Sequence, residues 1–221
     1  MANSWDAAIH QWRHNALVIV YLILGATYAF AAAVQPGAFQ TYLVSQTLSN
    51  GWRRTLPAAL SPLISDGPII LLVLLILSHV PAGLQQVLRF AGGVFLLYLA
   101  AGAWKTWRKY TGTVPAVIQS PRQSLLRAAV VNLLNPNPYL GWSLVLGPLL
   151  LKGWHETPAH GIALVAGFYL TMILTLAATI MLFAAARNLG PRVNRALIGA
   201  SAVGLACFGL YQLWSGTRGL W

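Results

Sequence analysis

The sequence predicts an all-α integral membrane protein of six transmembrane helices, arranged as two inverted three-helix repeats with helices one and four broken at proline motifs. Three observations lead there. Of 221 residues, 57% are hydrophobic and only 8% are charged, where a soluble domain carries roughly 25% charged residues. The apolar residues gather in six long blocks. The first and fourth blocks carry matching breaks, Pro36-Gly37 and Asn135-Pro136-Asn137-Pro138.

The charge count excludes most soluble classes. The chain holds 3 acids against 14 lysines and arginines, for a net charge of +11. The acids are Asp6, Asp66 and Glu156. So few charges cannot cover the surface of a soluble fold of this length, so the rest of that surface must face hydrocarbon. The basic residues lie singly or in pairs between apolar runs and form no stripe, so nucleic acid is not an expected partner. Cys207 is the single cysteine, sits in an apolar run, and reads as a packing residue.

The six blocks run from Ala16 to about Ser49, Thr55 to Ser78, Leu88 to Trp107, Leu125 to Leu151, His160 to Ala186, and Ala196 to Trp214. Each reaches or nears the ~20 residues needed to cross a hydrocarbon core. The expected organisation is an extracytoplasmic segment 1–15, a first repeat 16–107, a cytoplasmic loop 108–124, a second repeat 125–214 and a tail 215–221. Block one could pass for a signal peptide ending at Ala29-Phe30-Ala31, but its apolar run continues beyond the alanines. Lysines and arginines set the orientation. Arg53, Arg54, Lys105, Arg108, Lys109, Arg122, Arg127, Arg187, Arg192 and Arg195 fall on one side, and Arg13, Arg89, Lys152 and Arg218 on the other. The richer side is expected to be cytoplasmic, with both termini outside.

The halves also resemble each other. Gly92 and Gly102 in block three match Gly199 and Gly209 in block six, each pair followed by aromatic residues. Three spans followed by three similar spans must be inverted, a plan shared by many secondary transporters. Proline removes a backbone donor and splits a helix. Matched breaks in both halves then point to a central binding site, with half-helix N-termini suited to a carboxylate. The candidate substrate-binding residues are Gln35, Pro36, Gly37, Gln40, Asn132, Asn135, Pro136, Asn137 and Thr171. Thr171 belongs to a small, hydroxyl-bearing face of block five with Ala163, Gly167, Thr175 and Thr179, a face that equally suits close helix packing.

Asp66 is the only acid inside a block. A carboxylate there costs roughly 2.5–3.5 kcal/mol on insertion scales, so it should face the protein interior. Two roles are open for it: binding and releasing a proton during transport, or capping a helix that restarts at Ser65-Asp66-Gly67-Pro68. No metal, cofactor or catalytic motif is evident. Gly141-Trp142-Ser143 faintly echoes the serine motif of rhomboid proteases, but no histidine lies at a matching depth.

Taken together, the motifs resemble those of the lysine exporter and homoserine/threonine-resistance (LysE/RhtB) family, over nearly the whole chain after Ala16. Pro36-Gly37-Ala38 is similar to that family's Pro-Gly-Pro break, and Gly51-Trp52-Arg53-Arg54 to its arginine-bearing turn. Asp66 stands at its acidic position, Gly93 to Gly102 at its Gly…Tyr-Leu…Gly pattern, and Asn135-Pro136-Asn137 at its Asn-Pro-Lys. Ala38 and Asn137 depart from the pattern, replacing a proline and a lysine. The resemblance implies a bacterial cytoplasmic-membrane exporter that exchanges protons for a small amino acid or related zwitterion. Expected partners are that solute, protons and the lipid bilayer, with a homo-oligomer left open. The alternative is a non-transporting membrane factor assisting a lipid or envelope pathway.

Overall fold

A computed structural model describes residues 4–76, 82–110, 120–186 and 189–218, and among these the chain is helical with no strand. Gly112, Arg187 and the last three residues, which bear on the topology reading, lie outside the described residues, as does most of the expected loop 108–124.

Helix α1 spans Ser4–Val34 and stops because Gln35 precedes Pro36, which disfavours helical geometry at the residue before it. Helix α2, Ala38–Asn50, follows and ends at Gly51, whose φ of 82° suits glycine. A short α3, Trp52–Thr55, leads through a 3-10 stretch, Leu56–Leu60, into α4, Ser61–Ile76. Helix α5 spans Ala82–Arg108. Helix α6, Pro121–Leu133, opens on a reciprocal cap: Gln123 N–H donates to Ser120 Oγ at 3.2 Å, and Ser120 N–H to Gln123 Oε1 at 3.1 Å. Helix α7, Pro136–Gly141, runs through a π-helical turn at Trp142–Leu146 into α8, Gly147–Glu156. Two long helices finish the chain, α9 at Pro158–Ala186 and α10 at Pro191–Arg218.

Five stretches are long and apolar enough to cross a membrane: Trp12–Val34, Trp52–Val73, Gln86–Arg108, Pro158–Ala186 and Pro191–Thr217. Their outer faces carry large bare hydrophobics such as Leu71, Leu170 and Leu182, each more than 60% exposed. Water would not tolerate that surface; hydrocarbon does. The protein is therefore a multi-pass membrane protein. The fourth sequence block forms no single uninterrupted stretch of this kind, because it is divided among α6, α7, the π turn and α8.

Two helix pairs frame the molecule. On α1 and α9, Tyr21 stacks on His160, Gly25 abuts the Leu164 carbonyl, and Tyr28 meets Phe168, so these helices run in the same direction. A methyl group on Gly25 or Gly167 would strike the partner backbone, so both glycines are needed for this approach. On α5 and α10, Arg89 meets Gly216, Leu97 meets Gly209 and Trp107 meets Gly199, so that pair is antiparallel. Helices α2, α4, α6 and α7 lie between the two frames. The largest core cluster, including Tyr42, Ala58, Ala128, Leu176 and Leu205, joins them.

Candidate functional site

The two breaks open onto one cavity of about 120 Å³. Its wall includes Gln35, Pro36, Gly37 and Gln40 from the first break, Asn132, Asn135 and Asn137 from the second, and Asp66 from α4. Pro136 is buried beside this wall without lining it, and Thr171 lies partly exposed on α9, outside it. The small face of α9 serves packing: Ala163 is buried in a cluster with Tyr21, Gly167 abuts the Leu22 carbonyl, and Thr179 Oγ1 bonds the Thr175 carbonyl.

At the first break, Gln40 reaches back and donates to the Ala32 and Ala33 carbonyls at 3.2 and 3.1 Å. This supplies a donor to two carbonyls at the end of α1 that have no helical N–H partner. Gly37 is extended and gives α2 no side-chain cap. The amides of Ala38, Phe39 and Gln40 therefore face the cavity end of α2 without helical acceptors, at the positive end of its dipole. The second break is closed differently. Tyr139 Oη donates to the Leu133 carbonyl at 2.9 Å, and Asn135 Oδ1 accepts from Asn137 N–H at 3.1 Å. Pro136 and Pro138 have no amide hydrogen to offer.

Asp66 is 2% exposed and lies within α4, which continues unbroken through Pro68. The reading of Asp66 as the cap of a restarting helix is thus corrected. The chain's local irregularity is the 3-10 stretch Leu56–Leu60, and α4 is already underway at Ser61. The carboxylate accepts from Asn132 Nδ2 at 2.9 Å, and the Trp142 indole N–H and the Ser65 hydroxyl also lie against it. Asn132 also donates to Ser65 Oγ at 2.7 Å, and Ser65 donates to the Ser61 carbonyl at 3.0 Å. Neutral donors hold this carboxyl; among the described residues the cavity wall includes no lysine, arginine or histidine.

Sequence reasoning missed Trp142, Tyr28, Phe39 and Phe168, all in the wall. For Trp142 a signal existed, since it lies deep in an apolar block while most other tryptophans sit near block ends. The π turn aims it: Gly147 N–H bonds the Trp142 carbonyl, and such turns occur frequently at functional sites. The protease-like serine finds no catalytic setting. Ser143 Oγ donates to the Leu140 carbonyl of its own helix, and buried His160 is engaged with Glu156.

The family model described as LysE type translocator matches residues 30–216. The chain belongs to the LysE-type translocator family. No curated protein matches the chain. No solved structure matches it either. The matched region begins within α1 and contains both breaks, Asp66 and Trp142. Members of this family are transporters rather than enzymes, and membership makes this protein a membrane translocator.

Proposed function

We propose that the protein is a secondary exporter of a small amino acid or related zwitterionic metabolite, exchanging it for protons across a bacterial cytoplasmic membrane. One observation carries the reading: the cavity between the breaks has a carboxyl in its wall and an uncapped helix end, with no side-chain cation. A zwitterion meets both needs. Its carboxylate accepts from the α2 amides, and its ammonium pairs with Asp66. Gln35 and Asn137 supply neutral hydrogen bonds around the solute, Asn135 caps α7, and Pro36 and Pro136 keep the breaks open.

Coupling follows from competition. A protonated Asp66 offers no charge to an ammonium group, and an ammonium bound at Asp66 leaves no place for the proton. A carrier that moves only when one or the other is bound exchanges them. Without a phosphate-binding loop in the sequence, an ion gradient is the natural energy source.

The helix directions support a six-span plan of two inverted repeats. Parallel α1 and α9 require an odd number of crossings between them, and antiparallel α5 and α10 an even number. Counting α7–α8 as the fourth span satisfies both. In this plan the repeats are 16–107 and 125–214, both termini lie outside and the loop 108–124 lies in the cytoplasm. Single cysteines at Gly112 and Gly219, in a Cys207→Ser background, are expected to label from opposite faces. Labelling of both from outside overturns the orientation.

Counterflow in proteoliposomes, with a panel of labelled amino acids, tests the function itself. Saturable exchange of at least one amino acid is expected. Folded protein that exchanges none of them favours the non-transporting membrane factor.

A further inference from the structure

A second and larger cavity, about 460 Å³, lies at the basic end of the molecule between α2, α5 and α6. Here the C-terminal ends of α2 and α5 meet the N-terminal end of α10, with Leu48, Tyr110 and Ile198 in one cluster. Among the described residues the cavity wall carries three cations, Lys105, Lys109 and Arg127, and no acid. Among the described residues none of the three has a carboxylate partner. The chain could not provide many: Asp66 is held in the central cavity and Glu156 is bonded to Tyr21 and His160. Neither of these acids is free to balance the three cations.

The remaining wall indicates which molecule would balance them. Ser45, Gln46 and Ser49 present hydrogen-bonding groups from α2, and Ser49 Oγ is buried without a partner. On the α5 side, Tyr98, Ala101 and Gly102 are exposed, with Tyr98 at 62%. These three lie one to two turns from Lys105 along a membrane-crossing helix, so the crevice is open to the hydrocarbon beneath its basic rim. A crevice with a cationic rim, hydroxyl and amide donors, and an apolar opening fits a phosphate that carries acyl chains.

We propose that this crevice binds the headgroup phosphate of an anionic phospholipid from the leaflet at the basic end. The phosphate lies between Lys105, Lys109 and Arg127, and the acyl chains leave along Tyr98 and Gly102. This site is separate from the central cavity and does not depend on the transport reading.

Native mass spectrometry of the full-length protein in detergent, titrated with phosphatidylglycerol or phosphatidylcholine, tests it. Phosphatidylglycerol is expected to be retained preferentially. Each cation replaced by glutamine should weaken that retention about fivefold, so Lys105→Gln, Lys109→Gln and Arg127→Gln together lose about 100-fold. Arg53→Gln with Arg54→Gln, at the same end but outside the crevice, should leave retention unchanged. Gly102→Trp leaves every charge in place and fills the crevice; a β-carbon at Gly102 meets nothing within 4 Å, so the variant is expected to fold. It too should release the lipid, which keeps the test open if the triple variant misfolds. Equal loss in the Arg53/Arg54 control, or full retention in Gly102→Trp, overturns the site. So does displacement by inorganic phosphate at concentrations matching the lipid, which would make it a site for free anions.

Discussion

Both breaks open onto the central cavity, yet they end in opposite chemical states. Each uses a side chain from the helix after the break to satisfy carbonyls before it, Gln40 in one case and Tyr139 in the other. Beyond that the likeness stops. The first break leaves three amides of α2 uncapped at the cavity. The second removes its amides with Pro136 and Pro138 and ties the remaining one to Asn135. The site thus has a polarity: one break ends in uncapped amides, while the other, through Asn132, helps hold an acid.

The largest effect should come from the acid. Asp66→Asn keeps an acceptor for Asn132 and Trp142 but cannot ionise. Gradient-driven uptake into inverted vesicles should vanish, while solute-for-solute counterflow persists with about tenfold weaker apparent affinity. Undiminished gradient-driven transport in that variant would remove Asp66 from the coupling scheme.

The first break comes next. Gly37 has φ −166°, an extended conformation open to any residue, and a β-carbon there would approach only Gln40 Oε1 and the Gln35 carbonyl, at 3.4 and 3.9 Å. Gly37→Ser therefore fits, and its hydroxyl caps the amides that the proposed solute carboxylate needs. The Michaelis constant should rise about tenfold with no loss of thermal stability, because capping favours the helix. An unchanged Michaelis constant would mean that the α2 amides do not touch the solute.

Asn135→Ala should do the reverse. It strips the cap from α7 and lowers stability by about 1 kcal/mol, with little change in solute affinity. Comparing melting temperature with Michaelis constant for the two variants separates the breaks: one moves affinity, the other stability. A comparable effect, about 1 kcal/mol and confined to stability, is expected for Tyr139→Phe, which loses one hydrogen bond to the Leu133 carbonyl. A large transport defect in Tyr139→Phe would show that the second break is not merely structural.

What was legible in the sequence followed from short-range rules. Pro36 and Pro136 announce interruptions because proline acts on its own neighbours, and a lone Asp66 among apolar residues announces an inward-facing acid. Asn132 was readable for the same reason, as a polar residue one turn before a break. The rest depended on distant elements. Ser65-Asp66-Gly67-Pro68 has the local form of a helix start, but α4 was already running, and the partners of Asp66 include Asn132 of α6 and Trp142 of the π turn. Thr171 was placed by periodicity, yet its face of α9 is used for close approach to α1 through Gly167. No local pattern discloses a π turn, so the direction of Trp142 was beyond reach.

That turn also makes the helix longer by a fraction of a step than a regular one would be. Trp142–Leu146 amounts to an α-helix holding a surplus residue, and the surplus is absorbed where the indole must swing toward Asp66. Deleting one residue from this stretch, Val145 for instance, should let the helix close into regular turns. Because the excess is taken up locally, α8 would keep its seat against α9, and only the indole would be turned away. The helix carries its own adjustable shim, and its thickness is one amino acid.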